Sequence, residues 1–217
     1  MVGPTFRRRL SLGAGAMILA TLLFPHARLG ETDQELIEAV RRGKIEGFSE
    51  LYRRHADRIY ALFTRLVGPV GEREDLVQES FVEAYRALPS FRGEAAFSTF
   101  LYRIAARVGY DFLDRRARAS RQTLDDNVLN DLVATDASPL EQAALRKELR
   151  RAFRLLESLS PKRRAAFVLV AIEGLSLREA AQALGADEQA IKQRVLSGRK
   201  ELLAKMAKES MGGGLDD

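Results

Sequence analysis

Apolar residues recur at spacings of three and four through two long stretches of this 217-residue chain, and an acidic stretch without that period separates them. The pattern constrains the fold strongly, because a helix brings residues i, i+3, i+4 and i+7 onto one face. In the first stretch Leu36, Ile37 and Val40 are followed by Phe48, Leu51 and Tyr52, then by Ile59, Leu62, Phe63 and Leu66, until Gly68-Pro69 stops the run. Thr32 with Glu35 fits a capping box, and Gly43 can break the helix between the first two groups. In the second stretch Leu145, Leu149, Ala152, Phe153 and Leu156 share a face, and Ser160-Pro161 opens a further helix with Pro at its first position. The expectation is an all-α chain of two small helical domains, residues 31–118 and 141–208, joined by a flexible acidic linker over 119–140.

Composition removes several function classes. Without cysteine there is no disulfide framework, thiolate zinc site or Cys nucleophile, and His26 and His55 are too few for a histidine metal site. Neither histidine has Ser or Asp at a recognisable triad spacing, and no Gly-rich phosphate loop follows a strand. The chain is therefore expected to be non-enzymatic, without cofactor or metal. The net charge of +5 conceals alternating blocks. Residues 101–121 hold six Arg against Asp111 and Asp114, whereas 122–140 hold Asp125, Asp126, Asp131 and Asp136 with no base. Local basic surfaces separated by an acidic strand fit a polyanionic partner better than the total charge does.

Residues 1–30 form a separate segment, in which Arg7-Arg8-Arg9 precedes the apolar run Leu10 to Phe24. That order resembles a signal peptide, but fifteen residues at about 1.5 Å each fall short of the ~30 Å hydrocarbon core. An upstream extension from a misassigned start, an export or membrane-tethering segment, and a buried extra helix all remain open. At the other end, residues 209–217, with Met211-Gly212-Gly213-Gly214, read as a disordered tail with no further domain.

Two neighbouring segments of the first half carry chemistry. From Glu72 to Leu88, Val77, Phe81 and Leu88 make an apolar face and leave Asp75, Gln78, Glu79 and Glu83 on a polar one. After the turn Pro89 to Glu94, aromatic and basic residues interleave from Phe97 to Arg116, as on a surface that stacks single-stranded bases and holds their phosphates. Spacing alone also allows a plain core stripe, through Leu101, Ile104, Ala105 and Val108.

The run Glu74-Asp75-Leu76-Val77-Gln78-Glu79, the turn Phe91-Arg92-Gly93, the run Phe97 to Ala105 and the run Asp111 to Arg116 resemble, in order, the second region of the extracytoplasmic function (ECF) sigma factors. Members of that family direct bacterial RNA polymerase to promoters. The resemblance implies that Asp75, Gln78 and Glu79 meet core polymerase. It also implies that Phe91, Arg92, Thr99, Phe100, Tyr102, Arg103, Arg107, Arg115 and Arg116 contact the −10 promoter element, with a base flipped out near the Phe91 to Glu94 loop. Phe100 stands where the family usually has Trp and Arg107 where it usually has Asn. The first change removes an indole N–H donor, and the second exchanges an amide for a charge.

In the second half Ser176 with Glu179 caps a helix over Leu177 to Leu184, Gly185 turns, and Asp187 caps a helix from about Glu188 to Met206. Leu159-Ser160-Pro161, Gly174-Leu175-Ser176, Leu184-Gly185 and Ile191 to Val195 resemble the fourth sigma region, which recognises the −35 element. That resemblance assigns −35 contacts to Gln189, Lys192, Gln193, Arg194 and Arg199. Ala180, Ala190 and Gln193 replace the more usual Ile, Thr and Ser, so a −35 sequence outside the commonest family pattern is expected.

The resemblance thus implies a cytoplasmic specificity subunit whose partners are core RNA polymerase, promoter DNA and an anti-sigma factor. Membrane contact through residues 1–30 stays open. The alternative is a helix-turn-helix repressor or activator acting without polymerase, which has no need of the polar Asp75, Gln78 and Glu79 face.

Overall fold

A computed structural model describes residues 32–118 and 138–212. The expectations for residues 1–30, for the acidic linker and for 213–217 lie outside the described residues. Among those described there are eight α-helices and no strand: α1 Asp33–Arg41, α2 Glu46–Val67, α3 Arg73–Ala87, α4 Phe97–Arg118, α5 Pro139–Glu157, α6 Pro161–Phe167, α7 Leu177–Leu184 and α8 Glu188–Gly212.

Local signals set most helix boundaries. Thr32 accepts from the Glu35 N–H while the Glu35 carboxylate takes the Thr32 N–H, and Ser138 with Glu141 and Ser176 with Glu179 repeat the arrangement. Each box satisfies donors that a helix start would otherwise leave open. The Ser138 box, with Pro139 next, starts α5 inside the stretch read as linker. The last helix runs to Gly212, so the first residues of the expected tail are helical, and Arg151 Nε holds Glu209 at 2.8 Å. At the Gly185 turn the backbone is left-handed, with φ +58°, which a residue without Cβ adopts freely.

Helices α1 to α4 form the first half. Helix α2 lies at its centre, against α1, α3 and α4, and wholly buries Phe48, Leu51, Leu62, Phe63 and Leu66. Burial of such a side chain is worth about 1.5–3 kcal/mol. Helix α4 approaches α2 closely at Gly109, where a Cβ would come within 2.6 Å of a Leu66 methyl.

In the second half α8 packs on α6 and α7. Helix α6 widens into a π turn over Val168–Ile172, closed by the Glu173 N–H donating to Val168 O at 2.9 Å. Helices α6 and α7 also pack on α4, and the π turn touches α2. One apolar cluster therefore runs through both halves, from Leu36 to Ile191.

Candidate nucleic-acid interface

Helix α3 buries Leu76, Val77, Phe81 and Ala84. Its other face leaves Asp75 and Glu79 exposed and Gln78 half-buried, so the structure brings the three expected polymerase contacts to one polar surface. Partial desolvation, and next the Glu79 charge, hold the Glu83 carboxyl above its ordinary value. Arg73 anchors the helix start. It is buried, donates to Val70 O at 3.1 Å and Thr64 Oγ1 at 2.7 Å, and lies over the Tyr60 ring. The sequence shows Arg73 only as one base in an acidic run.

The loop between α3 and α4 is held from α1. The Arg41 Nη2 donates to Leu88 O at 3.2 Å and also to Phe91 O, which fixes the bend that carries Arg92 and Gly93. Phe91 and Phe97 are buried, and Phe100 packs on both, 4.8 Å and 6.1 Å away between ring centroids. Phe100 and Thr99 are half-exposed, whereas Arg92, Arg107 and Arg115 are exposed, with Arg92 4.0 Å from the Glu94 carboxylate. The expected −10 residues thus divide into an aromatic base, with Phe91 as core, and a basic rim.

Beside this loop lies a cavity of about 510 Å³. Its walls come from the start of α1, with Asp33, Gln34 and Ile37, and from the segment Gly93, Glu94 and Phe97. His55 Nε2 at 2.8 Å and Arg54 Nη1 at 3.2 Å hold the Asp33 carboxylate. The sequence does not show the contribution of α1, because nothing local links Gln34 to Gly93 some sixty residues away.

Tyr102 and Arg103 occupy a different environment. Tyr102 is 6% exposed, and the Arg58 guanidinium lies 5.7 Å from its ring centroid. Burial, and then the neighbouring Glu173 carboxylate, push its phenol far above the ordinary value. Arg103 is half-buried, and its charge helps lower the Glu179 carboxyl, after the Ser176 hydrogen bonds. Both residues belong to α4 but are covered by the second half. Across the same junction Arg65 pairs with Glu173, and Arg164 is buried beside Gly68 with its Nε and Nη2 lacking hydrogen-bond partners. Burial lowers the Arg164 guanidinium to about 10.

Helices α7 and α8 form the expected helix-turn-helix. Asp187 Oδ1 accepts from the Ala190 N–H at 2.7 Å, and Ala180, Ala181 and Ile191 are buried between the helices. Gln189, Lys192, Gln193 and Arg199 are exposed and lie on the outer side of α8, whereas Arg194 is half-buried and lies off that face. Gln and Arg there can reach base edges, and Lys can hold phosphate. Among the described residues no cluster of His, Asp and Glu could hold a metal ion, and no helix is long and apolar enough to cross a membrane.

Comparison with known proteins places these surfaces in a family. Residues 51–119 match the family model for sigma-70 region 2, and residues 147–202 match that for sigma-70 region 4. The chain is 36% identical over 177 residues to the ECF RNA polymerase sigma-E factor of Salmonella typhimurium LT2 and 35% identical to that of Escherichia coli K12. Each match covers 79% of this chain and 92% of the relative. The sigma-E factor of Haemophilus influenzae is 34% identical over 175 residues, covering 78% of this chain and 92% of the relative. Among solved structures, CnrH in complex with the cytosolic domain of CnrY is similar with a TM-score of 0.57 and 27% identity, covering 82% of this chain and 99% of CnrH. The sigma factor RpoE of Bartonella quintana, in complex with the anti-sigma factor NepR, shares the fold with a TM-score of 0.54 and 22% identity, covering 74% and 96%. With both sigma regions present in order and these relatives matched over nearly their whole length, the chain belongs to the sigma-70 family as an extracytoplasmic function sigma factor, a DNA-binding initiation factor of RNA polymerase.

Proposed function

We infer that the chain binds core RNA polymerase through Asp75, Gln78 and Glu79, reads the −10 element with the loop at Phe91 to Glu94 and the basic rim of α4, and reads the −35 element with the outer side of α8. The observation that carries this reading is the pairing of a polar α3 face with an aromatic and basic loop in one half, beside a helix-turn-helix with a free polar side in the other. A stand-alone duplex-binding regulator has use for the second feature alone.

Tyr102 and Arg103 reach promoter DNA only after the second half leaves α4, which makes polymerase binding the step that opens the chain. The +5 net charge gives the free chain little general attraction to DNA, since non-specific affinity follows the number of phosphates neutralised. An anti-sigma partner is part of this reading, supported by the complex in which the Bartonella relative was solved. Run-off transcription of genomic fragments by core polymerase tests the whole reading. New start sites are expected when the protein is added, and unchanged transcripts would favour the stand-alone regulator.

A further inference from the structure

The junction between the two halves contains contacts of opposite sign. Arg65 on α2 bonds the Glu173 carboxylate with two donors, and Tyr102 on α4 is covered by the second half. These contacts favour the closed chain. Arg164 on α6 opposes them. It is 4% exposed, and neither its Nε nor its Nη2 has a hydrogen-bond partner. A guanidinium carries five N–H donors and no acceptor, so burying it with donors unmatched destabilises the state that buries it.

This charge sits at the junction itself. Gly68, the residue after α2, has φ +90°, and a Cβ there would stand 3.1 Å from Arg164 Nη2. The tip of the guanidinium therefore rests against the backbone of the first half, in room left by a residue without a side chain. From the second half, a ring carbon of Phe153 and Glu157 Oε1 come within 3.9 and 4.0 Å of the same point. Burial is the main influence on the guanidinium. The Glu157 charge supports its ionised form, and the Arg116 charge near the end of α4 works against it. With ionisation still at about 10, Arg164 keeps its charge at neutral pH and cannot relieve its burial by losing a proton. Separation of the halves would take Gly68 and Arg116 away from it and return the guanidinium to water.

We propose that Arg164 is a built-in opening device: an unmatched charge sealed at the junction of the two halves, which keeps their docking reversible so that core polymerase can open the chain. The proposal rests on the sigma-factor reading above and deepens it, because it names the group that sets how readily the closed chain opens. Arg65 with Glu173 is the opposing latch. A partner that binds only the open chain has its apparent affinity reduced in proportion to the open fraction, so Arg164 tunes polymerase binding without touching polymerase.

The test measures the open fraction and the affinity for core polymerase in the same variants of the full chain. The sequence has no cysteine, so Lys44→Cys and Lys208→Cys, both at exposed positions of opposite halves, accept a pair of spin labels, and electron–electron double resonance reads the distance between them. Wild-type protein is expected to show a minor long-distance population. Arg164→Met replaces the charge with an apolar side chain that can fill the site, a change that is often neutral or stabilising for a buried ion. It should lower the long-distance population on the order of tenfold and weaken apparent affinity for core polymerase by the same factor. Adding Arg65→Ala to Arg164→Met should restore both, which loss of a direct Arg164 contact with polymerase would not allow. A long-distance population in Arg164→Met equal to or larger than that of wild type overturns the proposal alone, since a merely structural Arg164 would loosen the junction when removed. Failure of wild-type protein to bind core polymerase overturns the sigma-factor reading, and the label distances then decide the proposal by themselves.

Discussion

Arg65 grips Glu173 with two donors: its Nε and Nη2 both bond the carboxylate, Nη2 at 3.0 Å, and the pair ties the end of the π turn in the second half to α2 in the first. The Glu173 side chain is 9% exposed and that of Arg65 is 40% exposed, so the pair sits at the rim of the junction. Removing Arg65 leaves a mostly buried carboxylate without its ion partner, a situation costlier than losing a surface pair.

Arg65→Ala is expected to weaken docking of the two halves by about 2 kcal/mol, a figure kept below the buried-pair range because of the exposure of Arg65. Small-angle scattering of the free protein should show a larger radius of gyration, and Tyr102 should become more accessible to solvent. Glu173→Gln keeps the shape and should have a smaller effect in the same direction. An unchanged radius in both variants would show that apolar packing between α4 and α6 to α7 holds the halves together by itself.

Gly109→Ala tests the crossing of α4 over α2. The added Cβ would stand 2.6 Å from Leu66 Cδ2 and 3.1 Å from Phe63 Cε1, both buried, so these side chains or the helices that carry them must shift. Overpacking of this kind costs about 1–3 kcal/mol, and thermal denaturation should register it as a lower Tm. The loop from Phe91 to Glu94 is joined to α4, so −10 strand binding should weaken as well.

Alanine at Asp75 and Gln78 together should leave the fold intact, since Asp75 is exposed and Gln78 half-buried. Affinity for core polymerase in a pull-down should fall several-fold. Wild-type affinity would move the polymerase contact away from this face of α3.

On α8 the two kinds of contact separate by their salt dependence. Gln193→Ala should relax base preference at one −35 position by about 1–3 kcal/mol. Lys192→Ala should weaken binding to all sequences alike and reduce the slope of log affinity against log salt by roughly one. Quantitative promoter-probe binding at several salt concentrations distinguishes them.

The three capping boxes give the fold an acid limit. The Thr32, Ser138 and Ser176 hydrogen bonds hold the carboxyls of Glu35, Glu141 and Glu179 below their ordinary value. A carboxyl that is more acidic in the folded chain contributes stability above the ordinary carboxylate range, and that contribution is lost as pH falls through the range toward the lowered values. Helicity followed by circular dichroism should therefore decline on acidification from neutral pH. Ser176→Ala should cost about 1 kcal/mol at neutral pH and reduce the pH dependence, by releasing one of the three carboxylates.

Much of the local structure was legible because its signals are local. A Ser or Thr three residues before a Glu forms a capping box wherever the chain turns into a helix, and a 3.6-residue apolar period defines the buried face before any partner is known. The boundaries at Thr32, Gly68, Ser176 and Gly185, and the order of the two halves, follow from such signals. So does the polar face of α3. The acidic face and the helix-turn-helix could be placed on helices without knowledge of what lies beside them.

The tertiary structure decided which of these surfaces are open and what stands next to them. Tyr102 and Arg107 have the same standing in the sequence, yet the first is covered by the second half and the second is exposed. Nothing in the sequence marks Arg73 and Arg164 for burial, but packing encloses them, the first with partners on α2 and in the loop before α3, and the second against the end of α2. Gln34 meets Gly93, and Arg65 meets Glu173 108 positions along the chain, only because helices distant in sequence pack on a common core. Helix periodicity is written in neighbouring residues, whereas the pairing of distant side chains depends on crossing geometry and close packing of the whole interior, which no local stretch encodes.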